Sequence, residues 1–217
     1  MNPELLNKIY CEDSLEFMRR LPDKCIDLTL TDPPYGIKAD KGFQGFGGFG
    51  APIQRKQYDD DWDSEIPPPE TFAEILRVSK KVIIFGGNFF AHILPQSKHW
   101  IVWDKVNTMP TFGDCELAWT NVERNSVKKY TVVWNGLIGK EKERWHPTQK
   151  PEKLMGYIIR DYTKQGELVA DFFLGSGTTV SVAKQMKRNF IGVEREQKYV
   201  DIANERLRVL DLQPQLF

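Results

Sequence analysis

Cysteine is scarce. The 217 residues hold three, Cys11, Cys25 and Cys115, and no Cys-x-x-Cys pair. That excludes a disulfide framework and a thiolate zinc site, and it predicts reduced thiols in a cytosolic protein. Histidine is as scarce: His92, His99 and His146 are scattered, so no metal is predicted. No apolar run approaches the ~20 residues that span a bilayer. The stretch "MNPELLNKIYCEDS" lacks the basic and apolar regions of a secretory leader, so no membrane association is expected. Excess charge is missing too. Thirty Lys and Arg balance thirty Asp and Glu, so composition alone does not mark a nucleic-acid binder. The glycine turn at 175–177 fits neither usual phosphate loop, G-x-x-x-x-G-K-[ST] or G-x-G-x-x-G.

What is present suits a globular protein. Hydrophobic residues make up 41% and charged residues 28%, and a chain of this length buries a core without staples. One domain over 1–217 is predicted. Apolar, β-branched runs at "IDLTLT", "KVIIFGG", "HWIVWDK", "CELAWTNV", "YTVVWNG", "ELVADFF" and "NFIGVE" read as strands. "LEFMRRL", "PPPETFAEILRVS", "PEKLMGYIIRDYT", "GTTVSVAKQM" and "QKYVDIANERLRVL" read as helices. Strands alternating with helices predict an α/β fold with a mainly parallel sheet. Residues 38–61, rich in glycine and phenylalanine and without a period, read as a long loop. It fits a lid over a substrate and a plain spacer equally. Between Lys98 and Lys153 basic residues alternate with tryptophans; a solvated surface and a nucleic-acid face both account for them.

Two stretches carry chemistry. In "LTLTDPPYGI" a buried strand ends in Asp32, Pro33, Pro34 and Tyr35. In "LVADFFLGSGTTV" a strand ends in Asp171 and turns through glycines into a helix, and the next strand ends in Glu194. An acid about 20 residues past a glycine turn is the arrangement that binds both hydroxyls of a ribose. Asp171 would repel a phosphate and suits an ammonium group. A ligand with an amino acid at one end and a ribose at the other is S-adenosylmethionine.

With "TDPPYG" and "DFFLGSGTT" in one chain, the sequence resembles the β group of exocyclic-amino DNA methyltransferases, the DPPY-type N6-adenine enzymes, in which the cofactor glycines come last. The resemblance is strong over 9–36 and 145–210. It implies a Rossmann-like methyltransferase fold with helices on both faces of the sheet. It also implies S-adenosylmethionine without a metal, and double-stranded DNA with a flipped target base in a bacterial or phage-infected cell. Asp32, Pro33, Pro34 and Tyr35 would be catalytic. Asp171, Phe173, Gly175, Ser176, Gly177, Thr178 and Glu194 would hold the cofactor. Phe172 stands where the family usually has Pro, which frees a φ angle. "HPTQKP" would bring Thr148 and Lys150 to the methionine carboxylate, although a solvated lysine is the plainer reading of Lys150. "YCEDSLE" would bring Asp13 and Ser14 to the adenine; a helix cap competes for both. A small target-recognition insertion is expected at about 105–144, where Lys105, Arg124, Lys128 and Lys129 could contact phosphates. Its shortness points to a homodimer. An N4-cytosine enzyme, an RNA amino-methyltransferase and a silent cofactor-binding module are the alternatives.

Overall fold

The structure is a computed structural model and describes residues 1–37, 63, 65–106, 113–133 and 149–212. Among the described residues, eight strands form one sheet in the order β1-β8-β7-β2-β3-β5-β4-β6. They are β1 (Lys8–Cys11), β2 (Ile26–Thr31), β3 (Ser79–Phe85), β4 (Trp100–Asp104), β5 (Cys115–Thr120), β6 (Lys128–Thr131), β7 (Leu168–Asp171) and β8 (Asn189–Glu194). β1, β8, β7, β2 and β3 run parallel. β5 is antiparallel to both of its neighbours, and β6 joins β4 in parallel. The mainly parallel sheet is as expected. β5 and β6 lie within the span 105–144 and belong to this sheet.

Parallel strands are covered on both faces, so their residues are apolar whichever way they point. On β3, Val82 and Ile84 enter one core while Ile83 and Phe85 enter the other. Five α-helices among the described residues supply the cover: α1 (Ser14–Arg19), α2 (Pro69–Val78), α3 (Glu152–Tyr162), α4 (Thr178–Gln185) and α5 (Gln197–Leu212). α2 buries Phe72, Ile75 and Val78 on the face it shares with α1. α3 buries Leu154, Met155, Ile158, Ile159 and Tyr162, spaced along one helical stripe, on the opposite face with α4 and α5. None of the described helices is long and apolar enough to cross a membrane.

Strand order positions the site. β2 continues to β3 on one side, and β7 continues to β8 on the other. The order therefore reverses between β2 and β7, and such a sheet opens a crevice outside the carboxyl ends of its strands at that point. Asp32 directly follows β2, and Asp171 and Glu194 end β7 and β8. β1 pairs with β8 so that Cys11 sits opposite Glu194, which brings Asp13 and Ser14 to the same rim. The loop expected over 38–61 lies outside the described residues.

Candidate active site

Asp171 anchors the crevice. Its Oδ1 accepts from Thr31 Oγ1 at 2.7 Å and from the Phe173 amide at 3.1 Å, and Oδ2 accepts from Thr179 Oγ1 at 2.6 Å. The Thr31 bond crosses from β2 to β7, so it ties the TDPPY segment to the glycine turn. Burial pushes the Asp171 carboxyl up to about 6, although the two threonines and the Phe173 amide hold it down. Oδ2 keeps acceptor capacity for a ligand donor.

The glycine turn follows. Gly175 has φ +52°, and a Cβ there would meet nothing within 4 Å, so its backbone faces open space. Gly177 has φ +85°, and a Cβ would come within 2.6 Å of the Ala203 Cβ. This residue is needed both for the left-handed turn and for the approach of α5. Arg206 of α5 pins the turn through the Ser176 carbonyl at 2.8 Å and Thr178 Oγ1 at 3.2 Å. Glu194 accepts the Gly175 amide at 2.8 Å and the Glu196 amide at 3.0 Å. Asp13 caps α1, accepting from the amides of Leu15 and Glu16. Ser14 Oγ donates to the carbonyl of Phe172. Capping therefore describes Asp13 in this structure, and Ser14 fastens α1 to the glycine turn. Phe172, in the place of the family's proline, is wholly buried and its ring lies 6.4 Å from that of Phe17. Packing thus stabilises the turn where a fixed φ is absent. Thr148 lies outside the described residues.

The TDPPY segment is held on every side. The Tyr35 and Gly36 amides both donate to Asp63 Oδ1, at 2.7 and 3.0 Å. The Tyr35 hydroxyl donates to Asp32 Oδ1 at 2.5 Å. Burial, reinforced by the charge of Asp32, raises the phenol well above its ordinary value, so it stays a donor. Phe89 stacks on the Tyr35 ring at 4.8 Å and 14°. Gly86 has φ +66°, and a Cβ there would lie 2.2 Å from the ring. Gly86→Ala is accordingly expected to displace Tyr35. Overpacking of this kind costs about 1–3 kcal/mol, which corresponds to a Tm lower by several degrees in a thermal melt. An unchanged Tm and turnover would show the contact to be soft.

Lys150 is not at the surface. Its side chain is 9% exposed, and its ammonium pairs with Asp32 Oδ2 and lies 3.4 Å from Glu116 Oε2. Burial opposes its charge, but the two carboxylates outweigh burial and hold its pKa above the ordinary lysine value. Asp32 is raised by burial, opposed by Lys150 and assisted by Glu116. Lys105 faces inward as well, pairing with Glu116 at 2.6 Å beside the Trp103 ring. Arg124 lies over the Tyr162 ring, Lys129 pairs with Asp104 at 3.1 Å, and Lys128 lies 3.7 Å from Asp161. The last three remain on the surface around β6; Lys105 does not join them. Thr31, Asp63, Gly86, Phe89, Glu116, Thr179 and Arg206 complete the site. Only Thr31 and Thr179 carried a signal, as hydroxyls beside the two motifs.

The DNA methylase family model N6_N4_Mtase matches residues 96–205. The type II methyltransferase M.HinfI of Haemophilus influenzae is 30% identical over 258 aligned positions, covering 97% of this chain and 71% of that protein. This chain belongs to the N6/N4 DNA methylase family. The type II methyltransferase M2.DpnII of Streptococcus pneumoniae is 29% identical, covering 90% of this chain and 87% of its own. The solved M1.HpyAVI complex with S-adenosylmethionine superposes with a TM-score of 0.61 at 23% identity, over 92% of this chain and 98% of that one. As a member of this family, the methylase uses S-adenosylmethionine, and the crevice fits that group. The open backbone at Gly175, the remaining acceptor on Asp171 and the Glu194 carboxylate lie along one rim.

Proposed function

We propose that this methylase transfers a methyl group to the exocyclic N6 of an adenine flipped out of duplex DNA, acting as a homodimer at a short specific site. The observation that carries the reading is Asp32, an acid fixed between Tyr35 and Lys150 at the sheet's switch point. The nucleophile is an amino group whose lone pair is delocalised into the base. Asp32 accepts one of its N–H groups and the Pro33 carbonyl accepts the other. Both acceptors favour a pyramidal nitrogen and aim its lone pair. The double proline keeps that geometry stiff. Tyr35 offers an aromatic platform for a base outside the stack; Phe89, Gly86 and Asp32 fix its plane. Bound S-adenosylmethionine supplies an electrophilic sulfonium methyl, held along Asp171, the 175–178 turn and Glu194. The methylated ammonium is acidic, so Asp32 need not be a strong base.

Transfer of labelled methyl to DNA and RNA, followed by nucleoside analysis, tests this. N6-methyladenine from DNA is expected. N4-methylcytosine, label in RNA, or no transfer would each replace the reading with one of its rivals. Light scattering on the same preparation reads the assembly state, and a monomer both free and on DNA ends the dimer.

The buried Asp171 gives a pH dependence. Its free-state value of about 6 should fall when a cationic ligand arrives. Below that pH the carboxyl must lose a proton for the ligand to bind well. Affinity for S-adenosylmethionine is therefore expected to rise with pH up to about 6 and then level off, with proton release on binding at about pH 5.5. Titration calorimetry in buffers of different ionisation enthalpy reads the released proton. Buffer-independent heats would mean that Asp171 does not sense the ligand's charge.

A further inference from the structure

Both oxygens of Asp32 carry a donor before any substrate arrives: Tyr35 on Oδ1 and Lys150 on Oδ2. An acceptor so engaged offers an incoming amine less charge than a free carboxylate does. Lys150 is nearly buried, and an ammonium there cannot be left without a partner. Behind it stands Glu116 of β5. Lys105 holds Glu116 Oε1 at 2.6 Å, whereas Oε2 is buried and has no hydrogen-bond partner among the described residues. That oxygen is 3.4 Å from Lys150 Nζ. A shift of roughly 0.6 Å would make it a full charge-assisted hydrogen bond. Lys150 precedes Pro151, which restricts its backbone to extended conformations and leaves the motion to the side chain. The rings of Phe85 and Tyr35, 5.1 and 5.9 Å from Nζ, accommodate the ammonium on the way.

Resting on the reading above, we propose that Glu116 is a positioning residue that takes over Lys150 when Asp32 engages the target amine. The handover keeps one cation paired throughout while it frees the charge of Asp32 for the nitrogen. Glu116 touches neither base nor cofactor in this scheme; it acts through Lys150.

The charged groups around Asp32 set the pH signature. Among the described residues they are Lys150, Tyr35, Glu116, Lys105 and Asp63, with Asp171 across the switch point. Turnover needs Asp32 ionised, so its titration sets the acid limb of kcat. Glu116 raises Asp32. In Glu116→Gln, Lys150 has only Asp32 to pair with, so the limb should move to lower pH. Plateau kcat should fall about tenfold, less than the ~100-fold typical of deleting a direct polar group. KM for DNA and affinity for S-adenosylmethionine should stay within about threefold. Lys105→Met should move the limb the other way, because Glu116, relieved of Lys105, draws Lys150 from Asp32. Glu116→Asp should restore the wild-type limb. The experiment is the pH profile of kcat at saturating duplex DNA for these three variants, alongside cofactor calorimetry. Opposite shifts in Glu116→Gln and Lys105→Met together with the fall in plateau kcat of Glu116→Gln support the handover; opposite shifts with an unmoved plateau reflect charge alone and overturn it. Unmoved limbs, or a fall in kcat that Glu116→Asp does not relieve, overturn it. If Glu116→Gln does not fold, the direction of the Lys105→Met shift decides. A wild-type enzyme that leaves adenine unmethylated would instead sink the proposed function, so the two failures are distinct.

Discussion

Asp32→Ala is expected to fold, to bind S-adenosylmethionine within a few-fold of wild type and to lose methyl transfer by at least ~100-fold, the scale of removing one preorganised polar group. Asp32 lies one residue beyond β2, whereas the rim proposed for the cofactor is built on β7 and β8. Removing its carboxylate leaves Asp171 with its Thr31, Phe173 and Thr179 donors and Glu194 with the Gly175 and Glu196 amides. Breaking a fully buried ion pair costs ~3–5 kcal/mol because a bare charge stays behind. The cost should be well below that here. The Asp32 side chain is 24% exposed, and Lys150 still has Glu116 at 3.4 Å. Asp32→Asn is the companion variant. It keeps the shape and one acceptor oxygen but lacks the charge, so it should recover stability and little activity. Calorimetry, thermal melts and tritium transfer to DNA score both. Wild-type transfer by Asp32→Ala would reduce TDPPY to a turn and remove the active site assigned to it.

The reach of the sequence differs between the two motifs for a physical reason. Periodicity and the glycine-acid spacing are local, and they give most strands and helices and the rim that carries Asp171, Gly175 and Glu194. "NFIGVE" is β8 without adjustment. β1 escapes notice because it is four residues long, with Lys8 and Cys11 exposed and only Ile9 and Tyr10 partly covered; parallel pairing with β8 defines it. "YTVVWNG" begins two residues late, because β6 starts at Lys128, an exposed edge position with no apolar pattern. The partners of Asp32 are harder still. Glu116 sits in "CELAW", where a single acid in an amphipathic strand reads as solvent-facing. Only the placement of β5 beside β3 brings it near the end of β2. Lys150 reads as a surface lysine until the paired carboxylates are in view. The same holds for Gly86: its need for a missing Cβ depends on Tyr35, which is remote in sequence. Long-range pairings of buried charge leave no periodic trace, so Asp32 was legible as a candidate acceptor and its ion-pair partners were not.

Glu194→Ala is expected to reverse the order of effects expected at Asp32, weakening cofactor binding first. Two ribose hydroxyls would lose one charged acceptor. Hydrogen bonds to a charged group contribute ~1.5–3 kcal/mol each, net of their exchange with water. A loss of at least about 10–100-fold in affinity follows, the scale of one such bond. The rim itself should also loosen, because Glu194 holds the Gly175 amide at 2.8 Å, and that residue carries the positive φ that opens the turn. Glu194→Gln separates the two contributions. Its amide oxygen can still accept from Gly175, so the turn is kept, whereas the charge offered to the ribose is lost. If charge dominates, Gln should resemble Ala in calorimetry; if the turn dominates, Gln should resemble wild type. At saturating cofactor both variants should approach wild-type transfer, since Asp32, Tyr35 and Lys150 are untouched on the segment after β2 and ahead of α3. An unchanged dissociation constant in Glu194→Ala would place the ribose elsewhere in the crevice. A transfer defect that saturating cofactor does not relieve would show that Glu194 shapes the reacting geometry rather than the cofactor's affinity.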